Sequence, residues 1–420
     1  MYLRLIAIFI LFISFTSWAQ ESLNQEAVYV PNIETVLFYK SGKINSFPIL
    51  DIQSPGQTLT LAFDDMDADY KSYAYSIIHC DKDWKPSDLF ENEYFDGQNF
   101  DYISNYEFSS NTYVKYTNYR LSFPAENNWF RLSGNYIIQV YTDDDEKELI
   151  LTRRFYVVDQ RVSIKSKVKE ASYANVKKYK QEVDFEVNYT GVDVINPMSD
   201  FNVVIRQNGR WDNQIADLEP MYVQNNTLIY DYEKENLFNG LSEWRYCDYR
   251  QLKFPGFGIL KIELDTVFNM YMLNEEDRSY MAYAQWSDIN GNRVIAGESR
   301  DLKMSEIDYV KAHFKLKTPY PKDEDVYIFG ALSDWKLQDK FKMHYCREME
   351  SYIANIELKQ GYYNYYYVIK NPDDGSVDCV RFQGTHFETE NEYHILVYVQ
   401  SRVYNTQELV GYLSVSTALR

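Results

Sequence analysis

The stretch "YSIIHCDKDW", residues 75–84, sets the reading of the chain, because it supports two incompatible accounts. A histidine, a cysteine and two aspartates within five positions suit a metal centre or a thiol nucleophile. Alternating Tyr75, Ile77 and His79 against Ser76, Ile78 and Cys80 suits a β-strand, in which successive side chains point to opposite faces. In a strand, His79 and Cys80 diverge and cannot grip one ion. Cys80 then shares its face with Ala74, Ser76 and Ile78, a setting for a buried, inert thiol. Asp81 and Asp83 fall where the strand stops, and there aspartates accept hydrogen bonds from loop N–H groups. The strand reading is adopted, with no catalytic or metal role for these residues.

The same texture extends outward. Tyrosine contributes 40 of 420 residues, and Tyr, Phe, Val and Ile recur in short alternating runs broken by Asp, Asn, Gly and Pro. "TLTLAF" (58–63), "YAYSII" (73–78), "NYIIQVY" (135–141) and "TRRFYVV" (152–158) are strands of a first domain, residues 27–160. "EVDFEVNY" (182–189), "FNVVIRQ" (201–207), "NTLIYDY" (226–232), "ILKIEL" (259–264) and "MAYAQW" (281–286) form a middle domain, 161–303. "AHFKLKT" (312–318), "DVYIFGAL" (325–332), "FKMHY" (341–345), "SYIANIEL" (351–358), "YYNYYYVIK" (362–370) and "YHILVYV" (393–399) form a third, 306–405, followed by a tail, 406–420. Strands at short intervals without long amphipathic helices predict an all-β chain of three tandem antiparallel β-sandwiches of immunoglobulin-like type.

Residues 1–19 read as a secretory signal peptide: Arg4, an apolar run from Leu5 to Phe15, then Ser17 and Ala19 at the −3 and −1 positions. No later stretch reaches about 18 consecutive apolar residues, the length of a membrane helix. The expectation is an exported protein with no direct membrane insertion. Its formal charge is −19, and −20 once Arg4 is removed. That surface repels nucleic acid, which is excluded as a partner. Four cysteines (80, 247, 346, 379) are too few for a disulfide scaffold. Cys346–Cys379 is the one pairing that falls within a single expected domain.

Chemistry-bearing motifs are scarce. HExxH, CxxC, GxSxG and GxxxxGK[ST] do not occur, and carboxylate pairs carry no weight among 62 acidic residues. "FDDMDAD" (63–69) has alternating carboxylates that suit calcium, but it lacks the glycine and distal glutamate of an EF-hand loop and reads as a solvated hairpin. Catalytic residues, metal ligands and cofactors are expected to be none. Trp335, Tyr363 and Tyr365 are the candidates for partner contact, as aromatic side chains expected at the surface.

Two resemblances add to this. "VYIFGALSDWKL" (326–337), "SYIANIELKQGYYNYYYVI" (351–369) and "DDG" (373–375) resemble the early-set, immunoglobulin-like modules found beside starch-active enzymes or binding glycogen, with Gly330, Trp335, Leu358, Gly361, Tyr365 and Tyr367 in the matching frame. Tyr352 stands where those that bind glycan carry a tryptophan, so the resemblance implies the fold and only weakly a sugar site. Over residues 27–405 the chain resembles the type IX secretion system plug family of Bacteroidetes. "VYVPNIETVLFYKSG" (28–42), "YSIIHCDKDWKPSDL" (75–89), "YEFSSNTYVKYTNYRLSFP" (106–124), "QNGRWDN" (207–213), "EWRYCDYR" (243–250) and "HFETENEYHILVY" (386–398) carry it. This resemblance implies a non-enzymatic periplasmic protein whose partner is the SprA-type outer-membrane β-barrel translocon, its periplasmic opening closed by the plug. The alternative is an exported glycan-binding protein that uses the C-terminal early-set domain.

Overall fold

The computed structural model describes residues 24–144, 147–318 and 324–417. The expected signal peptide lies outside the described residues. The regular structure of the chain is almost entirely strand, as the alternating runs predict, and the chain forms two compact units. Among the described residues, one comprises 24–107, 117–160 and 398–410; the other comprises 108–116, 161–397 and 411–417.

In the first unit, one sheet runs in the order Ala27–Val28, Leu149–Val158, Gly134–Thr142, Tyr73–Cys80, Asp101–Tyr102. Its pairs are antiparallel, except that Ile49–Asp51 adds in parallel beside Leu149–Val158. A second sheet contains Ile33–Lys40, Leu59–Asp65, Thr117–Phe123 and Asn105–Phe108. Period-two alternation puts Leu59, Leu61 and Phe63 on one core face and Tyr73, Tyr75 and Ile77 on another, closing over Tyr136, Phe155 and Phe123. Each such buried side chain contributes ~1.5–3 kcal/mol. The rings also pack at specific angles: Phe155 lies edge-on to Phe123, with centroids 5.3 Å apart, and stacks on Tyr136 at 5.4 Å.

The second unit centres on the strand Gly361–Lys370, the tyrosine-rich run. Arg245–Asp248, Arg293–Ile295, Val326–Phe329 and Val377–Asp378 all pair with it. Partners on both edges make it a central strand, and residues on both of its faces are buried. A further sheet follows the order Ile259–Leu264, Phe268–Met272, Tyr309–Lys317, Ser351–Lys359, His344–Cys346, and Phe268–Met272 runs parallel to Tyr309–Lys317. Strands from either side of residue 305 thus share sheets within one unit.

Two local expectations are corrected, and the pairing left open between cysteines is not made. "MAYAQW" (281–286) forms no strand: its backbone joins no ladder, and its Tyr283 and Trp286 reach inward to Glu243 and Trp244. The expected tail contains the ten-residue strand Gln407–Ser416. All four cysteines are free; instead of a bridge to Cys346, the Cys379 sulfur takes a hydrogen bond from Arg210 Nη2 at 3.1 Å.

Candidate interaction surface

The strand Tyr73–Cys80 places His79 and Cys80 on opposite faces, and both are buried. His79 Nδ1 lies 2.9 Å from Ser87 Oγ, and its ring stacks on Tyr94 and meets Tyr136 edge-on. Burial lowers the His79 pKa to about 4 and pushes the Cys80 thiol up to about 12. At neutral pH both groups are uncharged packing elements. Asp81 Oδ1 accepts the N–H groups of Asp83 and Lys85, each at 2.9 Å. This turn puts Trp84 in the left-handed region (φ +67°), buried against Tyr156 and under the Arg154 guanidinium. The dense cluster is a strand end fastened to the core.

The other carboxylate groups are likewise engaged. Asp65 accepts from Lys71 Nζ (2.9 Å), Asn32 Nδ2 (2.8 Å) and the Tyr73 hydroxyl (3.0 Å). Burial works to raise its pKa, and these donors together pull it below the ordinary value. Glu182, Asp184 and Asp231 converge closely enough to hold an ion, yet Lys169 Nζ occupies their centre, 3.1, 2.6 and 3.8 Å from the three.

The partner-contact candidates drawn from the third domain need correction. Tyr363 and Tyr365 are fully buried, and Trp335 is half-buried, edge-on to Trp244 (5.6 Å) and Phe329 (5.8 Å). The cause is the central position of Gly361–Lys370. A buried tyrosine suits a core strand only if its hydroxyl finds a partner, and here all four buried ones do. Tyr363 donates to the Lys359 carbonyl, Tyr366 to that of Ser242, and Tyr365 and Tyr367 both to Glu275 Oε2.

The aromatic groups that do reach solvent lie elsewhere. Asp101–Tyr102 and Asn105–Phe108 are terminal strands of the first unit's two sheets. There Tyr102 is 50% and Tyr106 37% exposed, and Tyr106 meets Tyr70, itself 57% exposed, at 4.9 Å. Asp67 and Asp69 are exposed beside Tyr70. The Tyr70–Tyr106 pair with the two aspartates makes an aromatic, acidic patch at the Asn105–Phe108 edge, and Tyr102 is exposed on the terminal strand of the other sheet. A turn-rich polar stretch gives no sequence signal for it beyond isolated tyrosines that lack an alternating apolar partner.

Such a chain, with two units built of antiparallel sheets, belongs to the all-β, β-sandwich class. No curated protein matches it. Residues 33–159 match the family model described as the type 9 secretion system plug protein 1st domain. Over those residues the chain is similar to that plug domain, and the resemblance read from the sequence is borne out there. A crystal structure of a hypothetical protein from Parabacteroides merdae is similar over nearly the whole length: TM-score 0.89, 29% identity, covering 93% of this chain and 99% of that one.

Proposed function

We propose that this protein is a non-enzymatic periplasmic plug, closing the periplasmic opening of the SprA-type outer-membrane translocon of the type IX secretion system. The observation that carries this reading is the plug-domain match over residues 33–159. A channel wide enough for folded cargo leaks solutes unless something fills it, and a filler needs rigidity and a reversible interface, not bond-making groups. Two units with closely packed aromatic cores answer the first need. The exposed Tyr70, Tyr102 and Tyr106, inside the matched region, are the interface candidates that replace Tyr363 and Tyr365. Amphipathic rings of this kind are enriched in protein interfaces, and the exposed Asp67 and Asp69 favour a basic rim on the partner.

Isolation of the tagged chain from envelopes in mild detergent tests the reading. Co-isolation of a very large outer-membrane barrel, lost on Tyr102→Ser plus Tyr106→Ser, supports it. Recovery of the chain alone contradicts it.

A further inference from the structure

The stretch 281–290 joins no strand ladder, yet it is firmly attached, and three of its hydrogen bonds converge on one dipeptide, Glu243–Trp244. The Tyr283 hydroxyl donates to Glu243 Oε1. Trp286 Nε1 donates to the Trp244 carbonyl at 2.8 Å, and the Trp244 N–H donates to Asp288 Oδ2 at 2.6 Å. Just ahead of the stretch, Arg278 donates to the Glu243 carbonyl, and near its end the Ile289 N–H donates to Asn364 Oδ1 at 2.6 Å. Beneath this strap Trp244 stacks on Tyr366, with centroids 3.7 Å apart.

One atom at the attachment is unsatisfied. Glu243 is 1% exposed, and its Oε2 receives no donor from the protein. The Asp288 carboxyl, whose oxygens accept the N–H groups of Trp244 and Asn290, is held against this dipeptide and within hydrogen-bond reach of the Glu243 carboxyl. Two ionised carboxylates in this position repel, whereas one proton between them makes a hydrogen bond. We propose that Glu243 and Asp288 form a proton-operated latch that holds the 281–290 strap closed over the Trp244–Tyr366 stack.

The surroundings favour the proton. Tyr283 and Asp288 face Glu243 from the strap, and the stretch 386–390 brings His386 against the Tyr283 ring, Glu388 to its hydroxyl and the Glu390 N–H to Glu243 Oε1. Arg278 donates through Nε to Gln383 and through Nη2 to the Glu243 carbonyl, not to its carboxylate, and Arg245 is tied to Glu275. Acidic groups therefore outnumber cations free to neutralise the pair. Burial, seconded by the Asp288 charge, pushes Glu243 up to about 7, against the Tyr283 hydrogen bond. Asp288 is raised as well, by burial first.

The sign follows. The closed strap holds the proton with the folded, raised affinity, and the open strap exposes Glu243 to water with its ordinary affinity. Closure is thus fully favoured below the ordinary carboxylate range and is lost as pH rises through 7, by about tenfold per pH unit in between. Hydrogen exchange of the full chain, read on peptides that cover the Trp244 and Ile289 amides and corrected for the intrinsic pH dependence of exchange, tests this. Protection is expected to fall about tenfold per unit between pH 5 and 7 and to level off above. Glu243→Gln, which carries the donor permanently, is expected to hold the pH 5 protection throughout. Asp288→Asn, which removes the charge that helps raise Glu243, is expected to end the fall at lower pH and to make it smaller. A flat profile in the wild type, or the same slope in both variants, overturns the latch. It does not depend on the plug reading, since it is measured on the isolated chain.

Discussion

The Tyr365 hydroxyl donates to Glu275 Oε2 at 2.7 Å, from a strand that reads by composition as a sticky surface. Tyr367 reaches the same oxygen at 2.6 Å, and Arg245 Nη1 reaches Glu275 Oε1 at 3.1 Å. One carboxylate thus satisfies two buried phenols and a guanidinium whose side chain is 5% exposed.

Removing it leaves that guanidinium and two hydroxyls without their acceptor. Glu275→Ala is expected to destabilise the second unit by about 3 kcal/mol, since breaking a buried pair strands the surviving charge. Urea unfolding followed by tryptophan fluorescence measures this. A loss below about 1 kcal/mol, the range of an exposed ion pair, contradicts the assignment.

His79 makes the first unit sensitive to acid. Its folded affinity for protons lies below the unfolded one because burial disfavours the imidazolium. The stabilisation is complete above about pH 6.5 and is lost as pH falls toward 4, with a slope of about 1.4 kcal/mol per pH unit from this one group. Carboxylates such as Asp65 slope the same way, so the contrast with His79→Gln isolates the histidine. Equal slopes in wild type and variant would show that His79 titrates normally.

Gly134 adjoins the same ring. With φ at +152°, an added Cβ would lie 2.6 Å from His79 Nε2, so an alanine there displaces the imidazole from its place between Tyr94 and Tyr136. Gly134→Ala is expected to cost about 1–3 kcal/mol by overpacking and backbone strain. A thermal midpoint equal to that of the wild type contradicts the packing described.

The thiols report burial directly. Cys80, Cys247 and Cys379 are buried and Cys346 is half-buried, all free. An aromatic disulfide reagent is expected to find one reactive thiol in the native protein, lost in Cys346→Ser, and four in urea. Two thiols that stay silent in urea without reductant would reveal a bridge.

Period-two alternation made the strands legible: Tyr73–Cys80, Gly134–Thr142 and Leu149–Val158 fall within a few residues of the runs that predicted them. Alternation says which faces a strand has, and nothing about its neighbours. Nothing local to Arg245–Asp248 reveals that it pairs with Tyr362–Tyr365, more than a hundred residues later. That pairing turns a tyrosine-rich run into a core strand and Tyr363 and Tyr365 into structural residues. It also explains the failure at "MAYAQW": alternation there records side chains anchored to Glu243 and Trp244, not a ladder. Tyr102 and Tyr106 were illegible for the opposite reason, since edge exposure is a property of the sheet.

The central claim is that the chain closes a pore by binding it. Its most direct test is quantitative capture of the barrel translocon from detergent-solubilised envelopes by wild-type and Tyr102→Ser/Tyr106→Ser chains of equal stability. Stoichiometric recovery of the barrel with the wild type, reduced at least about tenfold by the double substitution, is the result expected for an interface centred on aromatic anchors. Recovery of no barrel by the folded wild-type chain contradicts the account.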